Sequence, residues 1–109
     1  MIYVKQNDRR PAAQQTLTRG GIAVDLTLAT GVTFKMRERG RAQGDLKVNT
    51  AASIIDAANG LVQYGWQTGD TDTPGNFMAE WEVIWNDGTE ETFPTLGYEP
   101  VLITGDNDG

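Results

Sequence analysis

Residues 77–85, FMAEWEVIW, alternate between two faces without a break. Phe77, Ala79, Trp81, Val83 and Trp85 share one face, and Met78, Glu80, Glu82 and Ile84 share the other. A helix would scatter these apolar side chains around its circumference, whereas a strand gathers them on one side. The segment is therefore read as a strand with its odd positions in a core. A strand of this kind needs a second layer to bury that face against.

Turn chemistry supplies the partners. Asn86, Asp87 and Gly88 tolerate the positive φ of a tight hairpin, which returns the chain through residues 89–93. Ala58, Asn59 and Gly60 form a second hairpin signal between residues 52–55 and 61–66, where Val62, Tyr64 and Trp66 alternate. Earlier strands are expected at residues 2–6, 13–18 and 32–37, with Val32, Phe34 and Met36 inward, and a last one at 101–103. No ten-residue stretch has the helical period; one helical turn is expected near residues 68–73. Seven or eight short strands separated by turns predict an all-β fold, an immunoglobulin-like β-sandwich of about seven antiparallel strands. Residues 1–104 form the single domain, and the polar residues 105–109 are read as a frayed tail.

Composition narrows the chemistry. The 109 residues contain no Cys, which excludes disulfides and thiol chemistry, and no His, the commonest general base and metal ligand. No Gly-rich phosphate loop is present, and no pair of carboxylates is singled out for glycoside hydrolysis. The chain reads as a non-enzyme without a cofactor. No 18-residue apolar run crosses a membrane, and no apolar core follows the N-terminus as a secretion signal would.

The formal net charge of −6 hides a division. Residues 1–47 hold all nine bases and four acids, and residues 48–109 hold eleven acids and no base. Either folding interleaves the halves and cancels them, or the surface is dipolar and lets like subunits pack. Free nucleic-acid binding does not suit this balance.

Four groups of residues invite a functional reading. Asp70 and Asp72 could open a calcium loop, but Pro74-Gly75 interrupts it and the twelfth position is Trp81 instead of Glu. The plainer role is Asp72 closing an Asx-type turn before the long strand. Arg37, Arg39 and Arg41, at a strand end and in the loop after it, form either a solvated tip or a patch for bidentate contact with carboxylates. Glu80, Glu82, Glu90 and Glu91 on a like subunit are the possible counterpart. Met78 and Ile84, apolar on a polar face, suggest an interface patch. Trp81 reads as core, while Trp66 and Trp85 near strand ends leave room for a glycan-stacking platform.

The order of these segments resembles the N-terminal immunoglobulin-like domain of phage baseplate upper proteins. The matching stretches are residues 15–27, ending in Asp25-Leu26-Thr27, then 32–36, 59–64, 75–83 with its Gly75-Asn76-Phe77 start, and the hairpin through 86–93. The resemblance covers about residues 2–103. It implies a domain that anchors a tail-tip protein in the baseplate. The family's host-facing downstream region has no counterpart in these 109 residues, so only the anchoring half is implied. The expectation is a virion protein, assembled in the host cytoplasm, that contacts other virion proteins and copies of itself. Tail, baseplate or neck is favoured over capsid decoration, and a carbohydrate-binding module is the rival from another class.

Overall fold

The computed structural model describes residues 1–40 and 46–105. Among them the chain forms β1 (Ile2–Lys5), β2 (Ala13–Thr16), β3 (Thr18–Arg19), β4 (Ile22–Ala23), β5 (Ala29–Glu38) and β6 (Leu46–Asp56). A 3-10 turn at Ala57–Asn59 leads into β7 (Leu61–Tyr64), β8 (Gly75–Trp85), β9 (Glu90–Phe93) and β10 (Glu99–Thr104). Their order in space is β1-β10-β8-β5-β6-β7-β2. β9 shares with β10 the edge of β8 opposite β5, taking Trp81 to Ile84 where β10 takes Gly75 to Ala79. Every pairing is antiparallel except β1 on β10, and β3 with β4 makes a separate small hairpin.

Two layers arise because β6 belongs to both. Its first half pairs with β5 as far as Ala52, and its second half pairs with β7 from Ser53 onward. The ladder is irregular between Ile54 and Asp56, where the strand turns the corner. The larger layer is β1, β10, β9, β8, β5 and the start of β6; the smaller is the end of β6, β7 and β2. Gln15 of β2 closes the open side, donating to Glu99 at 3.3 Å and accepting from Trp81 Nε1 at 2.8 Å. The result is an all-β immunoglobulin-like sandwich.

The parity of β8 holds. Phe77, Ala79, Trp81 and Val83 are buried, while Met78, Glu80 and Glu82 are half-buried and Ile84 is exposed. Phe34 from β5 lies at the centre of the aromatic core, stacked on Tyr64 from the other layer at 4.9 Å and tilted against Trp81 at 4.6 Å. Trp66 meets both Phe34 and Tyr64 edge-on. Offset and edge-to-face contacts of this kind add roughly 0.5–1.5 kcal/mol per pair to the burial itself.

Other details differ from expectation. Residues 68–73 form turns and no helix; the helical turn lies at Ala57–Asn59 instead. Gly60 ends it at φ 70°. A Cβ there would sit 2.6 Å from the Val24 carbonyl oxygen and 2.9 Å from that of Leu17, so only glycine lets the segments meet. β6 is far longer than the four residues expected, because its polar first half is held by the β5 ladder and contributes only Val48 to the buried core. Residues 106–109 of the expected tail lie outside the described residues.

Candidate functional site

The outer face of the larger layer brings together most of the singled-out residues. Alternation along β5 and β8 turns Lys35, Arg37, Met78, Glu80, Glu82 and Ile84 outward. Lys35 stands opposite Glu80, and Arg37 opposite Met78. The ion pairs run diagonally: Lys35 Nζ lies 3.1 Å from Glu82 and Arg37 Nη1 lies 3.7 Å from Glu80. The second distance is too long for a hydrogen bond, and Arg37 Nε is buried without a partner among the described residues. With Leu46 and Thr92 these four charged residues line a shallow groove of about 200 Å³.

One flank of this charged stripe is apolar. Pro100 pairs with Met78, Leu102 with Asn76, and Tyr3 of β1 with Leu102. Each alternates with a buried neighbour (Val101, Ile103, or Ile2 and Val4), so Tyr3, Pro100 and Leu102 continue the outer face beside Met78. Tyr3 is 59% exposed. Sequence reasoning missed this flank. The alternation of residues 2–4 would have turned Tyr3 outward, but nothing in the sequence announces that β1 joins β10 in parallel.

The charge contacts within the chain show which of the arginines and glutamates named for a possible docking between subunits are already engaged. Glu80 and Glu82 are already paired within the chain, with Arg37 and Lys35. Glu91 does not belong to the outer face. Parity in β9 puts Glu90 and Thr92 outside, and Glu91 turns to the inner side beside Phe93. There it receives Arg19 Nε at 3.0 Å, Arg19 Nη2 at 2.6 Å and Trp85 Nε1 at 3.2 Å. The Arg19 hydrogen bonds hold the Glu91 carboxyl below its ordinary range, against the opposing effect of burial. Glu90 is exposed opposite Ile84, Arg39 is exposed just past β5, and Arg41 lies outside the described residues. The interleaving of charge is thus real across the middle of the molecule.

Asp70 and Asp72 serve two separate structural roles. Asp70 accepts from the Tyr64 hydroxyl at 2.6 Å and from the Gln67 backbone N–H at 2.8 Å. Burial first, then this contact, pushes the Tyr64 phenol up to about 12. Asp72 accepts from Lys47 at 2.7 Å and from the Thr73 hydroxyl at 3.0 Å, and these contacts lower its carboxyl. It does not close the expected Asx turn, because the residue two further on is Pro74, which has no N–H to donate. Asp25 and Asp87 do close such turns, each accepting from the backbone N–H two residues later.

The tryptophans pack or bond within the chain, as the plainer reading of aromatics at strand spacing has it. Trp66 is 4% exposed and gives its indole N–H to the Pro11 carbonyl, Trp81 is fully buried, and Trp85 is half-buried against Glu91.

No known family model matches the chain, and no curated protein matches its sequence. Among solved structures, the crystal structure of CopC from Methylosinus trichosporium OB3b is similar to it. The two align over 97% of this chain and 85% of that one, with a TM-score of 0.55 and 11% identity. At that identity the likeness speaks for the sandwich fold alone.

Proposed function

We propose that the chain is a non-enzymatic structural subunit of a bacteriophage virion, an immunoglobulin-like adaptor of the tail, baseplate or neck. The observation that carries the reading is the open outer face of the larger layer. There an apolar flank (Tyr3, Met78, Pro100, Leu102) adjoins a stripe of charges held in place by strand register. A rigid face of this composition suits packing against a neighbouring protein, with apolar area for affinity and fixed charges for register. The order of segments, which resembles that of the baseplate family, is what favours the virion setting.

The reading is tested by purifying particles from cultures that express the chain, separating heads from tails, and quantifying the proteins of each fraction by mass spectrometry. The chain is expected in the tail fraction at a fixed, symmetric copy number. Recovery in the head fraction would make it a capsid decoration protein, and absence from both would overturn the virion role.

A further inference from the structure

Strand directions sort the unpaired charges to opposite ends of the sandwich. β5 begins and β6 and β8 finish at one end, which also holds the 86–88 turn and the start of β9. Asp25, Asp56, Asp87 and Glu90 are exposed there; Asp25 belongs to this end because the adjoining Leu26 N–H bonds the Ala57 carbonyl. Arg19 is engaged by Glu91 and leaves these acids uncompensated. The same end exposes Ile22, Leu28, Ile55 and Ile84 at 75%, 63%, 49% and 36%. Leu28 is tied to it by the Asn86 N–H, and Ile84 by the Thr30 hydroxyl.

The opposite end holds the finish of β1, β5 and β10 and the start of β8. Lys5, Arg9, Arg10 and Arg39 are exposed there and make no ion pair among the described residues. Arg9 and Arg10 follow Asp8, whose N–H bonds the Lys5 carbonyl, and the Arg39 N–H bonds Asn76. Asp8 and Glu38 are exposed among them, Asp70 is held by Tyr64 and Gln67, and Asp72 is held by Lys47, so the four exposed bases outnumber the exposed acids of this end among the described residues. Between the ends, Lys35 with Glu82, Arg37 with Glu80 and the N-terminal amine with Glu99 neutralise the middle.

We infer that copies of this chain associate head to tail, the acidic and apolar end of one seated on the basic end of the next. Like ends would oppose four carboxylates to four, or four bases to four. The head-to-tail contact instead sets the exposed carboxylates of one copy against the end of the next where exposed bases predominate. The aliphatic stems of Arg and Lys can cover the exposed Ile and Leu side chains while their heads reach the carboxylates around them. This contact takes Ile84 and Glu90 from the rim of the outer face and leaves the rest of that face, around Tyr3, Met78 and Leu102, for a different protein. The inference rests on the reading of the chain as a repeated structural subunit.

Sedimentation velocity of the purified chain tests it. The native protein is expected to sediment faster as concentration rises in about 0.01 M salt, where screening extends roughly 30 Å, and as a monomer near about 1 M, where it extends roughly 3 Å. An acid-end variant, Asp56→Lys with Glu90→Lys, and a base-end variant, Arg9→Glu with Arg39→Glu, should each lose roughly tenfold or more in self-association. Mixed in equal amounts at low salt, the two variants should associate with each other, since the acid-end variant keeps the native basic end and the base-end variant keeps the native acidic end. A native chain that stays monomeric at low salt, variants that self-associate like the native chain, or a mixture that stays monomeric would each overturn the inference. A chain found in virions but monomeric in solution overturns this contact and leaves the virion role standing. A chain that associates but is absent from particles does the reverse.

Discussion

Trp81 shows how one side chain ties the layers together. Its ring is fully buried against Phe34, and its indole N–H is answered by Gln15 from the other layer, so burying the ring leaves its own donor satisfied. Trp81→Ala removes both the ring and that bond and is expected to cost roughly 3–5 kcal/mol in urea unfolding. A loss below about 1 kcal/mol would place the ring outside the core. Glu91 is a second residue with a measurable signature. Its folded carboxyl titrates below its ordinary value, so the unfolded chain binds the proton first as pH falls. The stability it contributes is fully present above the ordinary glutamate value near 4.5 and drains away as pH drops through the lowered folded value. Glu91→Gln should flatten the fall in urea midpoint between about pH 5 and about pH 3; an unchanged slope would mean that Arg19 does not hold this carboxylate in solution. That Trp81 is core was legible from its neighbours' alternation. The Arg19–Glu91 contact was not, since it joins residues 72 positions apart through a two-residue strand that no periodicity reveals.

Among the elements, β8 was the easiest to read and β6 the hardest, for one reason. β8 is buried on one face along its length, so its pattern is written in its own side chains. β6 passes from one layer to the other, and its first half is held by hydrogen bonds to β5 more than by burial of its own residues. The parity of β8 can be tested by moving one charge along it. Val83→Lys puts an ammonium into the core and should unfold the domain or cost several kcal/mol. Ile84→Lys, one residue on, faces solvent beside Glu90 and should change stability by less than about 0.5 kcal/mol. Equal effects in circular dichroism melts would deny that the two residues lie on opposite faces. The same alternation misled where it was extended by charge alone. Glu90 and Glu91 looked like one acidic pair, yet as neighbours on a strand they must point to opposite faces.

At the scale of the molecule, the charge division along the sequence becomes three zones, with an acidic and apolar end, a neutralised middle and an end whose exposed bases make no ion pair among the described residues. A sequence shows how many charges lie in each half, but only strand direction shows which end each reaches. Among the described residues one broad face of the larger sheet is uncovered, and in the proposed role a neighbouring virion protein occupies it. A density map of a particle containing this chain tests that most directly. The expected result is side chains of another protein packed over Tyr3, Met78 and Leu102 and ordered against the Lys35–Glu82 and Arg37–Glu80 pairs. A map in which this face looks onto bulk solvent, while the chain is held by the opposite layer, would contradict it.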